Sequence, residues 1–303
     1  MKREGIMKLL IVSADPRLTL GYSKVIQQIA NYLATKEVEI VMYTLNFREN
    51  SVLPCTYIDP RIKLLPVPDS QSYGFDKFRS VVDKECPDYV FIYGPTNVIY
   101  NYISLLDNSM KVCVYLDICQ KWSELHTLQK LKNRVTHWFT FLKCWSDHLV
   151  NDLKIDSERV SVVEHGVNFS EFEPVDTKQA KDVMGFGKFL VLNMNRNSIR
   201  KNWAVTISGF VEFISRHEYN PDIQLYVSCG ANKKHSDNHC DIEAHVYTEF
   251  FKRGLEYMNY TKNFIINDHP LRLTKEKLNL LYSASDVGIN TCYSEGFGLC
   301  SVE

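Results

Sequence analysis

No run of roughly eighteen apolar residues occurs anywhere in the chain, so no membrane-spanning helix is expected. There is no Cys-x-x-Cys, and the nine cysteines (Cys55, Cys86, Cys113, Cys119, Cys144, Cys229, Cys240, Cys292, Cys300) are scattered and odd in number. That pattern argues against a disulfide framework and for reduced thiols in a cytoplasmic compartment. No Gly-x-Gly-x-x-Gly follows the first apolar run, which argues against an NAD-dependent dehydrogenase. Net charge is nearly nil, at -1, so the basic excess of a nucleic-acid binder is missing. Low-complexity segments and short-period repeats are missing too. Lys2 and Arg3 precede an apolar run of only Leu9 to Val12, too short for a secretory signal.

What is present is an ordinary globular composition, 45% hydrophobic and 23% charged over 303 residues, enough for two domains with separate cores. Short apolar runs alternate with helical periodicity. Strands are expected at 8–13, 39–44, 64–67, 89–93, 111–116 and 160–163. Helices are expected around Val25, Ile29 and Leu33, over 75–86 and over 122–132, and Val135 to Leu142 is dense in aromatics. A boundary falls near Phe172-Glu173-Pro174, giving domains 1–171 and 172–303. The alternation then restarts with strands at 189–194, 223–227 and 264–266 and helices at 203–215 and 274–283. Alternation of this kind implies parallel sheets, hence two Rossmann-like domains facing across a cleft. Few elements follow in the second half, so that domain is expected to be truncated.

The final stretch, Tyr293 to Glu303, reads YSEGFGLCSVE. It follows a short run, 285–290, expected to be a buried parallel strand. Gly296 and Gly298 suit a sharp turn with open N–H groups, and a helix is expected from Leu299. Strand, glycine turn and helix start make a seat for phosphate. Glu295 and Glu303 bracket the turn and suit hydroxyl groups. After the strand 189–194 come Arg196, Arg200 and Lys201, where open α/β sheets place ligands, and such cations suit a diphosphate.

Together these segments resemble a retaining glycosyltransferase of family 4 with the GT-B fold. Pro16 and Gly21 with Ile29-Ala30 and Leu33 resemble its first loop and helix, and Pro87-Asp88-Tyr89-Val90 its strand entry. His165-Gly166-Val167-Asn168 with Phe172 and Pro174 resembles its hinge, and Ala284 through Glu303 its Glu, seven residues, Glu signature. The resemblance implies transfer of a hexose from a nucleotide sugar, first of all mannose from GDP-mannose, to a glycan or lipid-linked acceptor. UDP-glucose and UDP-N-acetylglucosamine are the next donors. It implies retention of configuration, no divalent metal and no further cofactor, and no Asp-x-Asp is present to hold a metal–diphosphate. Arg196 and Lys201 are then implied as phosphate ligands, with Lys201 preferred over Arg200 on resemblance. Glu295 is implied at the sugar hydroxyls beside Gly296, Phe297 and Gly298, Glu303 at the ribose, and Gly21 at the phosphate.

Two departures stand out. The family's Gly-Gly is here Gly21-Tyr22, and its His after the fifth strand is here Asp117, a candidate for a sugar or acceptor hydroxyl or simply a strand-end cap. The acceptor is expected near Tyr93-Gly94-Pro95-Thr96 and Trp122. A non-catalytic nucleotide-sugar binder and a nucleotide-sugar epimerase share the architecture and stand as alternatives. Cys229, His235, His239, Cys240 and His245 fit no common zinc spacing. Basic and aromatic residues from Lys121 to Trp145 suit either a core with a solvated face or a peripheral membrane contact.

Overall fold

A computed structural model describes residues 5–18, 21–47, 57–68, 73–121, 124–167, 169, 172–229, 240–267 and 273–302. The chain separates into two compact units, Met1–His165 and Gly166–Glu303.

In the first unit the order is β1 (Met7–Ala14), α1 (Gly21–Ala34), β2 (Val38–Phe47), β3 (Lys63–Pro68), α2 (Phe75–Glu85), β4 (Tyr89–Gly94), α3 (Thr96–Ser104), β5 (Val112–Leu116), α4 (Leu125–Leu131), β6 (His137–Thr140), α5 (Lys143–Asp147) and β7 (Val160–Val162). A single π-helical turn, His148–Asp152, continues α5. The strands form one parallel sheet in the order β3-β2-β1-β4-β5-β6-β7. Apolar runs explain it: Leu10, Ile11 and Val12 are wholly buried, as a central strand covered on both faces requires. Pro66 and Pro68 are tolerated because β3 lies at the edge. The buried stripe of α1 is Ser23, Ile26, Ala30 and Ala34, rotated from the expected Val25, Ile29 and Leu33, which are only half-buried. Small residues let the helix lie close on β1 and β2.

The second unit runs α6 (Thr177–Met184), β8 (Phe189–Asn193), α7 (Trp203–Ser215), β9 (Ile223–Val227), α8 (Ile242–Phe251), β10 (Phe264–Ile266), α9 (Lys275–Ala284), β11 (Val287–Gly288) and α10 (Leu299–Val302). Its parallel sheet has the order β10-β9-β8-β11. One core packs β8 and β9 against α7 and α8 around Trp203, Ile207, Val246 and Phe250, and another packs α6 and α9 on Leu190 and Leu192. β11 is parallel as expected but short, and Val287 is 42% exposed, because it is the edge strand here.

In both sheets the strand order reverses once, beside β1 in the first and beside β8 in the second. Crevices at the carboxyl ends of such strands are where open α/β sheets bind ligands.

Candidate functional site

At the carboxyl end of β8 a hydrogen-bonded scaffold ties two loops together. Buried Asn193 accepts at Oδ1 from the Asn195 backbone N–H at 3.0 Å and from Asn195 Nδ2 at 2.9 Å, and donates from Nδ2 to Thr206 Oγ1 at 3.0 Å. Thr206 meets Thr291 Oγ1 at 2.7 Å, and Thr291 donates toward the Lys201 and Asn202 carbonyls at 3.2 and 3.1 Å. Asn195 Nδ2 also reaches Asn290 Oδ1, and the Cys292 and Cys300 thiols approach Asn195 Oδ1 at 3.6 and 3.5 Å. Buried amides and hydroxyls need partners, and here they find them across the two loops, which fixes both.

On that scaffold sits a charged cluster. A single 3-10 turn, Ile199–Lys201, places Arg200 and Lys201 side by side. Lys201 Nζ donates to Glu295 Oε1, and Arg200 Nη1 donates to Glu295 Oε2 at 2.9 Å and to the Ser294 carbonyl. The Tyr293 backbone N–H donates to the Arg200 carbonyl at 3.0 Å. Burial alone would push the Glu295 carboxyl up, but Lys201 and Arg200 outweigh it and hold Glu295 below its usual value. Burial also pushes the Cys292 thiol up, to about 11, with Glu295 raising it further and Lys201 opposing, so it stands protonated. Two cations against one carboxylate leave an excess positive charge, suited to an anion.

Of the residues expected here, Lys201 and Glu295 are in direct contact. Arg196 is on the same loop but exposed, its carbonyl taking the Trp203 indole N–H at 3.3 Å. Arg200 holds the place beside Lys201. Gly296 is buried, and Gly298 takes φ +78°, a conformation that favours glycine and turns the chain into α10. Glu303 and Asn168 lie outside the described residues, as do Trp122, His235 and His239. Asn193, Asn195, Asn290 and Thr291 escaped sequence reasoning; the run of asparagines just past a strand was their only signal.

The first unit has a second polar cluster at the carboxyl ends of β4 and β5. Gly21 opens α1, and the next residue, Tyr22, donates its phenol hydrogen to Asp117 Oδ2. Tyr22 packs on Tyr93 with ring centroids 5.0 Å apart, and Tyr93 on Tyr115 at 4.9 Å. Burial, with Asp117 nearby, pushes the Tyr22 phenol far above its ordinary value. Next to it Thr96 Oγ1 donates to Glu124 Oε2, and the Cys119 N–H to Glu124 Oε1 at 3.4 Å. Burial raises the Glu124 carboxyl, against the pull of Thr96. His165 packs among Tyr93, Tyr115 and Phe141, and burial lowers it to about 4. From Lys121 to Trp145, Trp138 is wholly buried and Lys121 pairs with Asp152 at 2.5 Å. Among the described residues no helix is long and apolar enough to cross a membrane, and no three His, Cys, Asp or Glu side chains group to hold a metal.

No family model and no curated protein matches the chain in sequence. Solved structures do match it in shape. The chain is similar to sucrose-phosphate synthase from Thermosynechococcus elongatus at 13% identity, with TM-score 0.68 over 98% of this chain and 78% of that one. It is similar to trehalose-6-phosphate synthase from E. coli bound with UDP-2-fluoro glucose, at 10% identity and TM-score 0.62 over 95% and 79%. A putative UDP-N-acetylglucosamine 2-epimerase from Listeria monocytogenes aligns at 14% identity and TM-score 0.57 over 94% and 74%. At these identities the likeness shows the fold, an α/β chain of two Rossmann-like parallel-sheet units of the GT-B class.

Proposed function

We propose that the protein is a retaining glycosyltransferase of the family 4 type, moving a hexose from a nucleoside diphosphate sugar to a hydroxyl of a glycan or lipid-linked acceptor. The observation that carries this reading is the convergence of Lys201, Arg200 and Glu295 at the carboxyl end of β8, where the strand order reverses. The cations stabilise charge growing on the departing diphosphate, which is the main electrostatic task of such a site. Glu295, beside the Gly296–Gly298 turn, takes hydroxyls of the transferred sugar, and Arg196 adds a phosphate contact from the loop's exposed side. Glu303 takes the ribose hydroxyls, and Gly21 lets the first loop approach the phosphate. Asp117, oriented by Tyr22, takes a sugar or acceptor hydroxyl. Retention implies attack on the face the leaving group vacates, with no divalent metal required. The protein works in the cytoplasm, with a peripheral membrane contact where the acceptor is a lipid.

GDP-mannose is the donor the resemblance implies first. UDP-sugars are the other class, supported by the UDP-2-fluoro glucose bound to the E. coli neighbour. The epimerase from Listeria keeps a second reading open, epimerisation of a UDP-sugar on the same fold. Thermal melting with GDP-, UDP- and ADP-sugars tests the proposal: a donor at about 100 times its Kd stabilises by roughly 2.7 kcal/mol. Release of free hexose, or its transfer to an added acceptor, then marks a transferase, and interconversion of the intact donor an epimerase. A binder changes neither. No melting shift with any nucleotide sugar would overturn the proposal.

A further inference from the structure

We propose that the Glu295 carboxylate is a built-in stand-in for the donor diphosphate, and that Arg200 belongs with Lys201 to the subsite the diphosphate enters. This rests on the glycosyltransferase reading for the nature of the ligand. The Lys201 side chain is only 8% exposed, and a buried ammonium needs an anion beside it. Glu295 supplies that anion, with Lys201 on one carboxylate oxygen and Arg200 on the other. Ammonium and guanidinium, each on its own oxygen, are equally the donors that phosphate oxygens take, and a diphosphate brings more negative charge than one carboxylate.

The two anions therefore compete for the same pair of cations. When the diphosphate arrives, Glu295 leaves Lys201 and Arg200 and its oxygens turn to the hydroxyls of the attached sugar. No covalent bond changes; one anion replaces another. The order matters: the carboxylate that reads the sugar is presented only after the diphosphate is seated. Arg200 keeps the loop in register during the exchange, because its carbonyl holds the Tyr293 N–H and its Nη1 the Ser294 carbonyl, neither of which involves the carboxylate.

The exchange predicts effects of opposite sign from one substitution. Inorganic pyrophosphate, UDP and GDP are titrated calorimetrically into the wild type, Glu295→Gln, Arg200→Ala and Arg200→Lys. Glu295→Gln removes the competing charge, so pyrophosphate binds about five-fold tighter while turnover of nucleotide sugar falls. A merely structural glutamate would weaken both. Arg200→Ala weakens pyrophosphate about ten-fold, and Arg200→Lys recovers part of it. Glu295→Asp, too short to reach both cations, carries the same expected sign if the Gln variant does not fold. Unchanged or weaker pyrophosphate binding by the Glu295 variants, or unchanged binding by Arg200→Ala, overturns the exchange and leaves the glycosyltransferase reading standing. If the wild type binds none of the three ligands, both fall.

Discussion

The two units carry polar clusters at equivalent places, the carboxyl ends of central parallel strands, but of opposite chemical character. In the second unit a carboxylate is gripped by an ammonium and a guanidinium. In the first, Asp117 takes a phenol and a thiol, and Glu124 a hydroxyl and a backbone amide. Fixed positive charge suits a diphosphate. Carboxylates oriented by neutral donors suit hydroxyl groups, which a sugar or its acceptor offers and a phosphate does not. The same parallel scaffold thus carries a cation-rich cluster in one unit and a carboxylate cluster held by hydroxyl, thiol and amide donors in the other.

Substitutions on the two sides should separate the roles. Lys201→Ala should give the largest effect, lowering kcat/KM for the donor by at least about ten-fold through loss of a charge-assisted phosphate contact. Steady-state donor hydrolysis measures it, and unchanged kinetics would remove Lys201 from the site. Tyr22→Phe keeps the ring on Tyr93 and deletes only the hydroxyl that orients Asp117. Transfer to acceptor should fall about five-fold while nucleotide binding stays as in wild type. An equal loss of nucleotide affinity in both variants would break the division of labour.

Much of this was legible in the sequence, for identifiable reasons. Strands of four to six apolar residues bounded by Gly, Pro or Asp stand out because central parallel strands are buried on both faces. α9 was legible from its cap: Thr274 Oγ1 accepts the Lys277 N–H at 3.3 Å, as Thr at that position suggests. α3 was not, because Thr96–Ser104 reads TNVIYNYIS, rich in β-branched and aromatic residues, and is helical only because Val98, Ile99, Tyr102 and Ile103 bury against the sheet. The cationic loop was legible as chemistry but not as geometry. Spacing alone could not show that the turn at Ile199–Lys201 brings Arg200, rather than Arg196, onto Glu295. The Tyr22–Asp117 pair joins residues far apart in the chain, and two separate departures from the family pattern become one contact only in three dimensions.

Acid should distinguish the units as well. His165 is half-buried, and desolvation lowers it to about 4 from its ordinary 6.5. The unfolded chain therefore binds its proton first, and the first unit loses stability as pH falls from about 6.5 toward 4. Glu295 is held below its ordinary 4.5, so its contribution is intact above that pH and is lost only as pH falls through the lower folded value. Hydrogen exchange at amides of β4 and β5 should therefore quicken at a milder pH than at β8. His165→Gln should remove the earlier limb, and Glu295→Gln the later one. Simultaneous loss of protection in both sheets would mean that the units do not unfold separately.

The smallest expected effect serves as the control for all of these. Thr274→Ala deletes the N-cap of α9, whose cap bond goes to the Lys277 N–H and not to the charged cluster, and should cost the second unit about 1 kcal/mol. For a unit of this size that is a fall of about 3 °C in Tm. Nucleotide affinity, measured well below the transition, should not change, because the hydrogen bonds and ion pairs of the Lys201 and Glu295 side chains go to each other, Arg200 and Cys292 rather than to α9. If Thr274→Ala lowered affinity as much as Lys201→Ala, the loss in the lysine variant would reflect a weakened fold rather than a missing phosphate ligand, and the contrast between the two clusters would rest on stability alone.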